Sequence, residues 1–100
     1  MNRTIALSGR HYKTMSNAMN PKAHGSVPWR GFTEAMKNIG FKMTATKGSV
    51  INFCPPKTMP GRAFCWHKPH SSHLRPDHVR ILRGDLSMLY GWRLETFVRK

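Results

Sequence analysis

The feature that most constrains the fold of this chain is a predicted β-hairpin in the middle of the sequence. Phe41 to Thr46 alternates apolar and polar residues, which is the pattern of a strand with one buried face. Lys47-Gly48 supplies a tight turn, and the β-branched and aromatic run from Val50 to Phe53 predicts the second strand. Because a hairpin of this kind must cover its apolar face, the rest of the chain has to supply a layer that packs on it.

A third strand is predicted from Arg62 to His67. It follows a loop between Pro55 and Gly61 whose prolines cannot continue a strand. Alternation in this third strand assigns Phe64 and Trp66 to the buried face and His67 to the opposite face. The predicted sheet therefore has three antiparallel strands.

Two helices are predicted, one before the sheet and one after it. Each combines a proline in its first turn with a glycine at its end, Pro28 with Gly40 and Pro76 with Gly91. The apolar residues of each helix recur at helical spacing and form one buried stripe. They are Trp29, Phe32, Met36 and Ile39 in the first helix and Val79, Leu82, Leu86 and Leu89 in the last. The sequence thus predicts an α+β fold of the order α-β-β-β-α, a two-layer sandwich in which a three-stranded antiparallel sheet packs on two helices.

The length of 100 residues predicts one small domain with a modest core. The folded unit is predicted to span residues 28–92. Residues 1–27 are polar and basic without sustained periodicity, and we expect a flexible basic N-terminal arm with a short helical turn around Tyr12 to Met19. Residues 93–100 are expected to form a C-terminal tail that either adds a strand or frays.

The charge of the chain indicates a polyanionic partner. Seventeen lysines and arginines face four aspartates and glutamates, which gives a net charge of +13 at neutral pH. Nucleic acid is the commonest partner of so basic a protein. An anionic membrane is the alternative, but the sequence has no apolar run of membrane-spanning length and no signal-peptide core. We therefore expect an intracellular, cytoplasmic protein that binds RNA and does not associate with a membrane.

Several cationic side chains are candidate phosphate ligands. The Lys47-Gly48-Ser49 turn can present backbone amides and an ammonium group to a phosphate, although an ordinary hairpin turn explains the same residues. On the last helix, Arg80 and Arg83 lie three residues apart and project from the same side, off the buried stripe. Arginine suits bidentate phosphate contacts, whereas a solvated helix face is the commoner explanation. The predicted RNA-binding residues are Lys47, Gly48, Ser49, Lys68, Arg75, Arg80 and Arg83.

A histidine-rich segment, from His67 to His73, contains the candidates for proton transfer. RNA cleavage needs a base that takes the 2′-hydroxyl proton and an acid that protonates the leaving 5′-oxygen, and imidazole suits both tasks. His67 should escape the core on the outer face of the third strand, and His70 follows in the loop. These two are the predicted catalytic residues. The alternative is that they bind phosphate when protonated or have no specific role.

The same segment, together with His78 and the two cysteines, also has the residue types of a zinc site. The spacings match no standard zinc motif, and no Cys-x-x-Cys pair occurs. Cys54 and Cys65 are expected to be reduced thiols, and a bridge between them is the alternative. We predict no metal site and no cofactor, and we keep a zinc-stabilised interaction module as an alternative function.

Three aromatic residues near the ends of predicted elements are candidates for stacking on unpaired bases. They are Trp66, Tyr90 and Trp92. Trp66 should face the helices and Trp92 should cover the edge of the core, so packing is expected to be their main role.

The order of the elements and several short motifs resemble the HicA toxin family. The motifs are Ile39-Gly40-Phe41 at the end of the first helix, Lys47-Gly48-Ser49 before an apolar strand, and the run from Leu74 to Leu82 that opens the last helix. The resemblance covers about residues 29–92 and rests on order and spacing. It implies a fold like the double-stranded-RNA-binding domain and the activity of a metal-independent mRNA interferase, an endoribonuclease of toxin–antitoxin systems.

One position departs from the family pattern. The resemblance implies a catalytic histidine directly after the Gly-Ser pair, and this chain has Val50 there. Valine can neither accept nor donate a proton, so that role is not carried over. The proline-rich hairpin loop and the His67-Lys68-Pro69-His70 run followed by Tyr90-Gly91-Trp92 are more similar to fungal-type relatives than to the compact bacterial toxins. We therefore expect an RNA-binding protein, with endoribonuclease activity or binding of an acidic, antitoxin-like protein as further hypotheses.

Overall fold

The three strands predicted in the middle of the chain form one antiparallel sheet. The computed structural model describes residues 4–100. Its elements in chain order are β1 (Ile5–Leu7), α1 (Gly9–Met19), β2 (Val27–Pro28), α2 (Trp29–Ile39), β3 (Lys42–Ala45), β4 (Val50–Cys54), β5 (Phe64–His67), β6 (His73–Leu74), α3 (Pro76–Tyr90) and β7 (Phe97–Arg99), with a 3₁₀ turn at Leu94–Thr96. The sheet has the strand order β3-β4-β5. The fold is therefore α+β, with three helices among the residues described.

The register of the sheet gives it an inner and an outer face. Phe53 lies opposite Met43 on one side and Phe64 on the other, and Ile51 lies opposite Trp66. These residues contact the core or belong to it. The residues between them point to the outer face, because side chains alternate along a strand.

Phe53 is the centre of the aromatic packing. Its ring is fully buried and stacks on Phe64 with a centroid distance of 4.8 Å. On the helix side it makes an edge contact with Trp29 and a tilted contact with Phe32. These contacts join the sheet to the apolar stripe of α2, as the spacing of that stripe predicts.

The N-terminal segment differs from the flexible arm expected for residues 1–27. Residues 1–3 lie outside the described part of the chain. From there on, β1 pairs in parallel with β7, and α1 packs against α2 and α3. Met15, Ala18 and Met19 are buried on α1, at the spacing of one helical stripe. A short methionine–alanine stripe among basic and polar residues is a weak signal, which is why the sequence suggested only a helical turn.

Residues Phe97–Arg99 form the strand β7, which is one of the two outcomes expected for residues 93–100. Phe97 on β7 is buried and makes an edge contact with the Trp92 ring at 5.2 Å. The Arg99 guanidinium lies over the Tyr12 ring, 5.2 Å from its centroid, which adds a contact between β7 and α1. β1, α1 and β7 thus pack against one another and cover one side of the core.

Glycines end the two predicted helices. The Gly40 amide donates hydrogen bonds to the Met36 and Lys37 carbonyl oxygens, and its φ of +122° favours glycine. Gly91 ends α3 in the left-handed conformation. Within residues 4–100, no helix combines the length and hydropathy that crossing a lipid bilayer requires.

The buried N-terminal helix makes a direct prediction about stability. Met15 is 0% exposed, so Met15→Ala should lower the free energy of unfolding by about 2–5 kcal/mol, because it leaves a cavity. Met88→Ala is the matched control, since Met88 is 79% exposed and its truncation should change stability by less than about 0.5 kcal/mol. Urea unfolding followed by circular dichroism measures both variants. Equal, small effects would mean that α1 is an arm outside the core.

Tyr90 fastens the loop between β4 and β5 to the end of α3. Its hydroxyl donates a hydrogen bond to the Arg62 carbonyl oxygen at 2.6 Å. Gly61 in the same loop has a φ of +128°, and a Cβ there would lie 2.7 Å from the Tyr90 ring. Burial, with a smaller contribution from Cys54, raises the pKa of Tyr90 to about 12. The hydrogen bond that holds this loop against α3 therefore requires Tyr90 in its neutral form.

A raised tyrosine pKa predicts a loss of stability at alkaline pH. The contribution of neutral Tyr90 should be complete below the ordinary tyrosine pKa of about 10 and should decline as the pH rises from there toward about 12. Tyr90→Phe removes the hydrogen bond, so it should cost about 1 kcal/mol near pH 7 and should abolish this alkaline loss. The measurement is urea unfolding of both proteins across this pH range, and parallel pH profiles for the two would contradict the prediction.

Candidate functional site

Five of the predicted site residues line a single open cleft of about 780 Å³. They are Ser49, His67, Lys68, His70 and Arg75. The other lining residues are Cys65, Trp66, Pro69, Ser71, His73, His78 and Asp85. The cleft therefore runs from β5 along the loop that follows it to α3.

The free edge of β5 forms one side of the cleft. β5 pairs only with β4 among the described strands. The Lys68 amide donates a hydrogen bond to the Ser49 carbonyl oxygen at 2.8 Å, so Lys68 faces β4. Because backbone groups alternate in direction along an antiparallel strand, those of Cys65 and His67 point away from β4, toward the free edge.

His67 lies directly opposite Val50 in the β4–β5 register. The backbone groups of His67 and Val50 do not hydrogen-bond to each other, because those of His67 point toward the free edge of β5. In an antiparallel sheet, the side chains of such a pair lie closer together than those of a hydrogen-bonded pair. His67 is exposed and Val50 is half-buried. An imidazole thus stands on β5 beside Val50 of the neighbouring strand.

The loop after β5 is held at its C-terminal end. The Trp29 amide donates a hydrogen bond to the Ser72 carbonyl oxygen at 3.0 Å, and β6 pairs with β2. The Ser71 hydroxyl donates to the His73 carbonyl oxygen at 2.9 Å, and the Ser72 hydroxyl lies 2.8 Å from the His73 Nδ1. Leu74 is fully buried directly after this turn. His70 is therefore carried on a short exposed segment between two fixed ends.

Arg75 stands at the start of α3 and lines the cleft. Its Nε lies 3.6 Å from an Asp77 carboxylate oxygen, in an exposed ion pair. Desolvation acts to raise the pKa of Asp77, but the Arg75 charge and backbone hydrogen bonds outweigh it, so this pKa lies below its ordinary value. The positive end of the helix favours the same ionised carboxylate. Arg75 keeps much of its side chain in solvent, where it can reach an anion.

The cleft holds more histidines than lysines, arginines and carboxylates together. Lys68 and Arg75 are its lysine and arginine, and Asp85 is its carboxylate. Two cations against one carboxylate leave a formal charge of +1 when the imidazoles are neutral. Four of the six histidines of the chain line the cleft, and their protonation would add four charges. The site can therefore bind anions and also carries several groups that are able to transfer protons.

The other predicted RNA-binding residues lie outside the cleft lining. Lys47 and Gly48 are exposed in the β3–β4 turn, and Gly48 has a φ of +60°. The Val50 amide at the end of this turn donates to the Lys47 carbonyl oxygen at 3.2 Å. Arg80 is exposed on α3. Lys47 and Arg80 are therefore exposed cations that do not line the cleft.

Arg83 has a structural role that the sequence did not indicate. Its Nε donates a hydrogen bond to the Ala18 carbonyl oxygen at 2.8 Å, which joins α3 to the last turn of α1. Burial, with a smaller contribution from the charge of Arg80, lowers the pKa of Arg83. Arg80 and Arg83 were predicted to bind phosphate from the same side of the helix. Arg80 is exposed, whereas Arg83 packs against α1 and is engaged by the Ala18 carbonyl.

The candidate zinc ligands do not come together. Cys54 and Cys65 are free and exposed, and the Cys65 thiol lies 3.4 Å from the Asn52 side-chain oxygen. Among residues 4–100, no three histidine, cysteine, aspartate or glutamate side chains form a group able to hold a metal ion. The thiols share the exposed face of the sheet with Asn52 instead.

Seven of the twelve lining residues are not among the predicted RNA-binding or catalytic residues. Trp66 was considered for base stacking and His78 as a zinc ligand, whereas Asp85 was not considered. His78 and Asp85 lie seven residues apart on α3, a spacing that puts both on one helix side and that could have indicated them. Trp66 was expected to pack in the core, and it does contact the core while remaining half-buried. Its exposure depends on the path of the following loop, for which the sequence carries no clear signal.

No protein family, curated protein or solved structure matches this chain.

The different environments of Arg80 and Arg83 predict different mutational effects. Arg83→Ala should lower the free energy of unfolding by about 1.5–3 kcal/mol, since it removes a charge-assisted hydrogen bond and leaves the Ala18 carbonyl unpaired. Arg80→Ala removes the same side chain from an exposed position and should change stability by less than about 0.5 kcal/mol. Thermal or urea unfolding of the two variants is the measurement. A larger effect at Arg80 would contradict these assignments.

Proposed function

We propose that this protein binds RNA through the histidine-lined cleft. The observation that carries the proposal is the convergence of Ser49, His67, Lys68, His70 and Arg75 on one cleft, in a chain with a net charge of +13. Lysine, arginine and protonated imidazole are the side chains that neutralise phosphate. The turn at Lys47 and Gly48, which leads into Ser49, adds sequence-independent phosphate contacts next to this site.

We propose that α2, the three-stranded sheet and α3 form a two-layer sandwich like that of the double-stranded-RNA-binding domain, of the type found in the HicA family. Support comes from the chain order of these elements and from the aromatic contacts between β4 and α2. In this account β1, α1 and β7 are additions that extend the core.

Metal-independent RNA cleavage is the second candidate function, and the position of His67 opposite Val50 favours it. In this reaction a base removes the 2′-hydroxyl proton, and the oxygen attacks the adjacent phosphorus. The bond to the 5′-oxygen breaks, and an acid protonates that leaving oxygen. The products are a 2′,3′-cyclic phosphate and a 5′-hydroxyl. His67 and His70 are the proposed base and acid, in an order that the cleft geometry does not assign.

If RNA binds in the cleft, its affinity should depend more on the cations of the cleft than on cations elsewhere on the surface. Changing Lys68 and Arg75 together to glutamine should weaken binding of a labelled RNA roughly 10-fold or more at about 100 mM salt, and should reduce the slope of log affinity against log salt by about two. The matched control changes the exposed Arg10 and Lys13 of α1, which removes the same charge outside the cleft and should have a much smaller effect. Fluorescence anisotropy over a salt series measures both. Equal effects of the two double variants, or no salt-sensitive binding by the wild type, would contradict the proposal.

Cleavage is tested with pure protein and RNA in the presence of EDTA. We expect products that end in 2′,3′-cyclic phosphate, and loss of cleavage by at least about 100-fold in His67→Ala and in His70→Ala. An exchange variant, Val50→His with His67→Val, moves the imidazole to the facing strand and should retain part of the activity. RNA that stays intact while it binds tightly would reject the enzyme and leave the binding proposal standing.

A further inference from the structure

Trp66 differs from the other two tryptophans in its environment. Trp29 is 8% exposed and Trp92 is 3% exposed, and both belong to the core. Trp66 is half-buried, contacts the core and also lines the cleft. The packing of the indole against the core holds the ring in place, while its remaining surface is open to a ligand.

An aromatic surface inside a cationic cleft suits a nucleotide better than phosphate alone. A phosphate site needs charges and hydrogen-bond donors, and an apolar wall adds nothing to it. A nucleotide brings a flat aromatic base together with its phosphate, and bases stack on tryptophan with little dependence on sequence. In a duplex the base faces are covered by their neighbours, so only an unpaired base can use the indole.

The groups around Trp66 can satisfy the polar edge of a base. The backbone N–H and C=O groups of Cys65 and His67 point to the free edge of β5, on either side of Trp66 in the chain. The Asp85 carboxylate also lines the cleft. A carboxylate repels phosphate but accepts hydrogen bonds from the amino groups of bases. Lys68 and Arg75 are the cleft residues that favour the phosphate.

We infer that the cleft takes one unpaired nucleotide of a single-stranded RNA, with its base stacked on the Trp66 indole and its phosphate beside Lys68 and Arg75. This inference rests on the proposed RNA binding and specifies its substrate class. It makes Trp66 the residue that distinguishes single strands from duplexes. It also gives the base a defined position on the strand that carries His67.

The test compares a short single-stranded RNA, the same RNA with the bases replaced by abasic positions, and a duplex of equal length. Wild-type protein should bind the single strand roughly 10-fold or more tighter than the abasic strand, which keeps the charge and lacks the stacking surface. Trp66→Leu should lose this preference and bind both strands with similar affinity. Trp66→Phe should keep part of it, since phenylalanine retains a ring.

The tryptophan fluorescence of the wild type provides a second readout. Because Trp29 and Trp92 are buried, quenching by the single strand should come mainly from Trp66 and should be absent in Trp66→Leu. Circular dichroism establishes that the variants are folded. If Trp66→Leu does not fold, the wild-type comparison of natural and abasic strands decides the question.

The outcomes separate this inference from the function on which it rests. Salt-sensitive binding that is equal for natural, abasic and duplex RNA would overturn the stacking site and leave RNA binding standing. Absence of salt-sensitive binding to any of the three would overturn the proposed function together with the inference. A preference for the natural single strand that Trp66→Leu removes is the result we expect.

Discussion

The structure depends on an entirely apolar core that holds together a chain with a large excess of positive charge. The buried residues of the described chain include no polar or charged side chain, and only two ion pairs form among residues 4–100, Arg30 with Glu34 and Arg75 with Asp77. Exposed ion pairs of this kind contribute little to stability. Apolar contacts must therefore offset both chain entropy and the repulsion among cations. This requirement explains why β1, α1 and β7 are recruited to the core, since a domain of this size has little apolar surface to spare.

The same core determines where the cleft lies. Phe53 and Phe64 fix β5 against β4, and the buried Leu74 and Val79 fix the chain on the far side of the histidine segment. The residues between these anchors include no large aliphatic side chain that could enter the core. They consequently lie along the free edge of β5 and bring their imidazoles to the first turns of α3. The cleft is a consequence of anchoring a polar segment between two apolar ones.

The parts of the fold that follow from local patterns were predictable from the sequence. The stripes of α2 and α3, the alternation in the three strands, and the terminating glycines Gly40 and Gly91 all depend on residues close together in the chain. The pairing of β1 with β7 joins the two ends of the chain, and no local pattern reports such a contact. The role of Arg83 likewise depends on α1, which was expected to be an arm. For the cleft, the histidine segment was apparent, whereas the inclusion of Trp66 and Asp85 depends on how the loop returns to the helix.

The central claim is that anions, and RNA in particular, are bound at the histidine-lined cleft and not by the basic surface as a whole. Amide chemical-shift mapping of ¹⁵N-labelled protein during titration with a short single-stranded RNA tests it most directly. The account predicts that the largest changes occur at Ser49, at residues 65–73 and at His78, with α1 nearly unaffected. Changes spread evenly over the lysines and arginines of the surface, or centred on α1, would contradict it.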